Sequence, residues 1–262
     1  MKKLMNDFWK IFKFPLLYLC ISMSLGAALI GIFSIKEEVL VDYAYWLIAI
    51  SGILSISTYR LTSNRSKEKL LESCKFKKIS LSTASIALTI SIGLSAAVCS
   101  FIALMQNDFE LYLQTSSGVA SNIRTLTHFI PILILIPIVE EIIFRGLSFN
   151  ELKNKTNPIF SVILQALVYM FFRQNLVQDA NTFFLFALVL GLVYLWTDSI
   201  LTSIIINIGY YIMSTLVFPF LIYKTSKFVF VYLILGLAIA AVPMMFLYGK
   251  YRLFKQGRIE SL

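Results

Sequence analysis

Pro137-Ile138-Val139-Glu140-Glu141-Ile142-Ile143-Phe144-Arg145-Gly146 sets two carboxylates and a guanidinium directly after an apolar run that starts near Ile130. An ionisable side chain at the centre of a membrane helix costs about 2.5–3.5 kcal/mol on insertion scales, so its presence needs a reason. On a helix, Glu141 and Arg145 are four residues apart and share a face, in the favourable acid-before-base order. Glu140 points about 100° away from Glu141, given about 3.6 residues per turn. One carboxylate can therefore pair with Arg145 while the other faces something else. Two readings stand at this point. In one, the stretch is a helix end where the glutamates reach the interface and Arg145 snorkels. In the other, the charges are held inside. Pro131 and Pro137 predict an irregular helix, as occurs where membrane helices line a cavity. Adjacent glutamates at a helix C-terminal end are also disfavoured by the helix dipole.

The surroundings are apolar throughout. Of 262 residues, 58% are hydrophobic and only 14% charged, and the mean hydropathy is +0.81. A soluble domain is nearer half apolar and a quarter charged. Disorder is excluded by the apolar fraction. A disulfide-stapled secreted domain is excluded by three cysteines, an odd number, with Cys20 and Cys99 in apolar runs and Cys74 in a basic loop. A spanning helix needs about 20 mostly apolar residues. Eight stretches approach that length: 14–35, 41–59, 79–105, 123–144, 158–172, 182–196, 199–223 and 228–248. They predict an all-α polytopic membrane protein of about eight transmembrane helices, forming one membrane domain over residues 1–262. The fifth and sixth are short, and could be short helices, tilted ones or a broken pair. The first follows Lys2, Lys3, Lys10 and Lys13 but outruns a signal-peptide core of about 7–15 residues, so it reads as a retained anchor.

Charge placement gives an expected orientation. With both termini in the cytoplasm, eighteen of the 23 Lys and Arg fall on the inside, as the positive-inside rule favours. The net charge of +9 is thus read as topology and lipid-surface attraction, not nucleic-acid binding. The basic loop 60–78 could also meet anionic lipid head groups. Ala27/Gly31, Gly93/Ala97 and Gly236/Ala240 are small residues four apart, suited to close helix packing. His128 is the single histidine, read as an interfacial residue. Asp198 is expected to be a helix N-cap. No metal site with three or four ligands can be assembled, and no cofactor is expected.

Glu140-Glu141-Ile142-Ile143-Phe144-Arg145-Gly146 resembles the Glu-Glu-x-x-x-Arg motif of the CPBP family (CAAX proteases and bacteriocin-processing enzymes, formerly Abi). Gln165-Ala166-Leu167-Val168-Tyr169-Met170-Phe171-Phe172-Arg173 is similar to the family's helix ending in Phe-x-x-x-His. Residues 191–200 resemble its short turn, and Ile204–Tyr211 its helix carrying His-x-x-x-Asn or Asp. The resemblance covers a core of about 125–215 and implies a CPBP-like helical bundle that hydrolyses peptide bonds in the membrane. It implies that the first glutamate and first histidine activate water, while the second histidine and the Asn or Asp hold the oxyanion.

Carried over by position, Glu140, Glu141 and Arg145 match, and these with Asn207 are the candidate catalytic residues. The histidine positions hold Arg173 and Asn207, and the Asn/Asp position holds Tyr211. Arginine does not give up its proton in proteins, so Arg173 cannot serve as a general base. It could pair with Glu140 structurally. Asn207 can still donate to an oxyanion, and Tyr211 reads as a packing residue. Three functions follow. One is a non-catalytic or altered family member binding a membrane or envelope protein or peptide, as in bacteriocin self-immunity or roles like that of lysostaphin resistance protein A. The second is an active glutamate-dependent endopeptidase. The third is a transporter, for which paired repeats would be expected and none is seen. A composition rich in Lys, Ile and Asn suggests a bacterial cell membrane.

Overall fold

The structure, a computed structural model, describes residues 2–31, 37–62, 72–105, 129–154, 156–172 and 180–257, the side chains of 2–11, 37–42 and 180–181 excepted. Every element among the described residues is helical. In chain order they are α1 (Lys2–Gly31), α2 (Glu37–Thr62), α3 (Leu81–Met105), α4, α5 (Pro158–Phe172), α6 (Ala180–Thr197), α7 and α8 (Val229–Lys255). α4 is a composite: π-helical over Pro131–Leu135, α-helical over Ile136–Glu140, π-helical again over Glu141–Phe149, then α-helical over Asn150–Lys153. α7 likewise joins Ile200–Ile212 and Phe218–Lys224 through a π-helical Met213–Val217.

Each expected apolar stretch falls on one of these helices where it is described. Among the described residues, four helices are long and apolar enough to cross a bilayer, over Phe12–Gly31, Leu81–Met105, Ile200–Lys224 and Ser226–Lys255, and two shorter apolar helices cover Pro158–Phe172 and Thr182–Thr197. Exposed positions carry large apolar side chains such as Leu81, Phe230, Val242 and Met245, while Glu140, Glu141, Arg145, Gln165 and Asn207 are buried. Apolar outside and polar inside is the arrangement a lipid solvent imposes. The protein is a multi-pass, membrane-embedded helical protein.

The chain divides into two compact units, 1–77 with 134–192, and 78–133 with 193–262. In the first, α1 packs on α2 and α4. Phe14 meets Tyr59 edge-on at 4.8 Å, and Lys13 Nζ lies 3.2 Å from Glu151 Oε1. α2 approaches α4 at Gly52, where a Cβ would collide with the Val139 side chain. In the second unit, α3 is the central helix. Its Gly93 and Gly236 of α8 face each other so closely that a Cβ on Gly93 would lie 2.5 Å from Ala240 N, and one on Gly236 2.5 Å from Ala97 N. The Gly93/Ala97 and Gly236/Ala240 pairs thus pack on each other, backbone against backbone. Among the described residues none lies within 4 Å of a Cβ placed on Gly31. Hydroxyls in α3 are satisfied by carbonyls: Ser95 Oγ donates to Ser91 O at 2.7 Å and to Tyr210 O of α7 at 3.2 Å.

Asp198 departs from expectation. It sits at φ +50° and donates its backbone N–H to Tyr194 O at 3.0 Å, so it closes α6 in the left-handed region, and Ser199, in extended backbone, precedes α7. Aspartate tolerates that region because its short side chain bonds locally. His128 and Arg173 lie outside the described residues.

Substitution at the crossings should be costly. Gly52→Ala and Gly93→Ala are each expected to lower stability by about 1–3 kcal/mol, the range for overpacking, whereas Gly26→Ala, which meets nothing within 4 Å, should not. Thermal unfolding of the purified variants in detergent checks this, and Gly52→Ala with Val139→Ala should recover much of the loss. Cys74 gives a second test. Burial pushes its thiol up to about 12, against a lowering bond from Ser73. The thiolate is the reactive form, so in a Cys20→Ala/Cys99→Ala background Cys74 should resist maleimide at pH 8 and label fully once denatured.

Candidate functional site

The second π-helical segment, Glu141–Phe149, holds the whole motif except Glu140, and the first, Pro131–Leu135, lies just upstream. A π turn is wider than an α turn and recurs at functional sites; here Ser148 Oγ donates to Ile143 O, five residues back, at 3.0 Å. Pro137, inside the five-residue α segment, has no N–H to continue a regular ladder, which accounts for an irregularity that the two prolines predict. The result is that Glu140, Glu141 and Arg145 all point inward: they are 4%, 0% and 0% exposed. The alternative of a helix end reaching the interface is overturned by this burial.

Arg145 Nη1 donates to Glu141 Oε1 at 3.0 Å, the face-sharing pair that the four-residue spacing predicts. Its Nη2 reaches Ala187 O of α6 at 3.5 Å. Glu140 turns the other way, and its Oε2 accepts from the Tyr169 hydroxyl of α5 at 2.9 Å. Tyr169 is fully buried. Its ring also lies under the Arg145 guanidinium, 4.7 Å from ring centroid to Cζ, a cation–π contact that is stronger when desolvated. Phe144 meets the same ring edge-on at 4.9 Å. One side chain of α5 therefore touches both the free-facing glutamate and the arginine of α4.

Tyr169 is the residue that sequence reasoning missed. It stands four residues before Arg173 in the sequence. The available signal was a hydroxyl in an otherwise apolar helix, since a buried tyrosine O–H finds a partner. Gln165, one turn further back, is 1% exposed, and neither atom of its carboxamide has a hydrogen-bond partner among the described residues. Its Oε1 lies against Gly191 of α6, 3.1 Å from where a Cβ would stand. Asn207 and Tyr211 belong to the second unit. Asn207 is fully buried in α7, and Tyr211 packs edge-on against Tyr210 at 6.0 Å. Among the described residues no group of three or more His, Cys, Asp and Glu is placed to hold a metal ion.

Comparison with known proteins now places this segment. Residues 122–213 match the family model described as type II CAAX prenyl endopeptidase Rce1-like. That stretch, about a third of the chain, is similar to the family and contains the Glu-Glu-x-x-x-Arg segment. No curated protein and no solved structure matches it.

The energetics of the cluster are testable. Breaking a buried ion pair by removing one partner costs about 3–5 kcal/mol, whereas replacing both with apolar groups of similar size is often neutral. Arg145→Met should therefore lower folded yield and melting temperature sharply, and Glu141→Leu with Arg145→Met should restore both. Tyr169→Phe, which strips only the hydroxyl from Glu140, should cost about 1–3 kcal/mol.

Proposed function

We propose that this protein uses the Glu-Glu-x-x-x-Arg motif as a structural clamp, and that it acts by binding a membrane or envelope protein or peptide rather than by cutting it. The carrying observation is that Glu140 Oε2 is held by the Tyr169 hydroxyl while Glu141 is held by Arg145, all four side chains being buried. A general base must reach the proton it abstracts, and here the carboxylate that the resemblance assigns to water activation is engaged by a phenol. Tyr169 supplies Glu140 with a hydrogen bond, where the resemblance implies a histidine that exchanges protons. The histidine positions hold Arg173 and Asn207, neither of which can shuttle a proton. Roles of this kind include bacteriocin self-immunity and those resembling lysostaphin resistance protein A, at a bacterial cell membrane with both termini cytoplasmic and the lipid bilayer as the constant partner.

One observation favours a second reading. A hydroxyl 2.9 Å from Glu140 is also a donor that could orient a water or an oxyanion beside a carboxylate base. The chain would then be an altered glutamate-dependent endopeptidase of the CAAX type.

Glu140→Gln separates the two, because the amide oxygen still accepts from Tyr169 while the base is gone. Purified wild type and Glu140→Gln, reconstituted in liposomes, are compared on a fluorescence-quenched prenylated CAAX peptide and by thermal unfolding. The binding reading expects no cleavage above the protein-free rate from either form and similar melting temperatures. A wild-type cleavage rate that Glu140→Gln abolishes while remaining folded would establish the endopeptidase instead.

A further inference from the structure

At the far end of α4 from the motif's first glutamate, the first unit holds a half-open cavity of about 230 Å³. Its walls come from three places: Tyr59 at the end of α2, Glu72 and Lys75 in the turn that follows, and Asn150, Glu151 and Asn154 at the end of α4. Gly146 and Leu147, the two residues after Arg145, line it as well. We propose that this cavity binds the head group of an amine-bearing phospholipid, with the phosphate at Lys75 and the ammonium at Glu72.

The charges on the wall select the ligand. Lys75 is cationic and Glu72 anionic, and Glu151 is offset by Lys13 at 3.2 Å. A purely anionic head group would gain Lys75 but meet the two carboxylates, and a purely cationic one would meet Lys75. A zwitterion with its phosphate and ammonium a few ångströms apart satisfies both, through charge-assisted hydrogen bonds on each side. The Asn154 amide at the rim can donate to phosphate and glycerol oxygens.

The location selects a lipid. Lys75 lines the cavity and Lys13 pairs with Glu151 of its wall, and Tyr59, edge-on to Phe14, is of the residue type enriched at membrane interfaces. The turn itself is built with strain. Lys75 sits at φ +55°, where a non-glycine residue costs about 1–2 kcal/mol, and such strain concentrates at ligand clamps. Two backbone bonds hold it, Lys75 N–H to Glu72 O at 3.0 Å and Lys77 N–H to Lys75 O at 2.8 Å. Asn150 Nδ2 then ties the turn to α4, donating to Ser73 O at 2.6 Å and Gly146 O at 3.0 Å. The walls are thus fixed to each other and to the helix that carries Arg145.

The test uses the purified full chain in detergent, followed by thermal unfolding and native mass spectrometry. Short-chain phosphatidylethanolamine, phosphatidylglycerol and phosphatidylcholine, together with free phosphoethanolamine, are added in turn. Phosphatidylethanolamine is expected to bind at least tenfold more tightly than the other two lipids, since phosphatidylglycerol lacks the ammonium and phosphatidylcholine lacks its N–H donors. Lys75→Asn, which tolerates the left-handed backbone, and Glu72→Gln should each erase that preference without lowering the melting temperature of the lipid-free protein. Asn154→Leu at the exposed rim should weaken binding several-fold and provides the reading if either charge variant is poorly folded. Equal binding of all three lipids, tighter binding of phosphatidylglycerol, or a preference that survives both charge variants would overturn the proposal. So would a shift by free phosphoethanolamine with none from the lipid.

Discussion

The contact between Tyr169 and α4 organises the first unit. Its hydroxyl meets Glu140, its ring supports the Arg145 guanidinium, and Arg145 in turn holds Glu141. Three ionisable groups are thereby kept away from lipid and water alike. Without such partners each would carry a desolvation cost of several kcal/mol. The helices that deliver these atoms, α4, α5 and the first part of α6, must then sit where the contacts require. The apolar packing of Phe144, Tyr169 and Phe186 follows from the same arrangement.

A second constraint is how near helices may come. In lipid, association relies on van der Waals packing and interhelical hydrogen bonds, so small residues set the approach. Gly93 and Gly236 do this for α3 and α8, and Gly52 does it for α2 and α4. The last case touches function directly, because the residue filling the space over Gly52 is Val139, which precedes Glu140. A change at the α2 crossing would move the backbone that aims the glutamate.

Much of the fold was legible in the sequence. Continuous apolar runs of about 20 residues have few alternatives to membrane helices, and the expected all-α polytopic class is what the structure has. The Glu141–Arg145 pair followed from spacing, and the irregularity of α4 from Pro131 and Pro137. Asp198 did not read correctly, because an aspartate between two helices satisfies either the cap of the next or the left-handed close of the last. Only the backbone distinguishes them. The 27/31 pair looked like the other small-residue pairs, yet among the described residues none comes close to Gly31.

The sequence by itself determined the class of the protein, a membrane-embedded helical chain with a Glu-Glu-x-x-x-Arg motif in one of its apolar segments, because these depend on composition and local spacing. Tertiary structure alone decided what the motif does with its charges. A helix periodicity says that Glu140 and Glu141 face different ways, but not which neighbour each will find. The partner of Glu140 comes from Tyr169, 29 residues away along the chain, and the walls of the cavity at the end of α4 come from three separate segments. Such meetings are fixed by packing, in which distant residues compete for the same buried space.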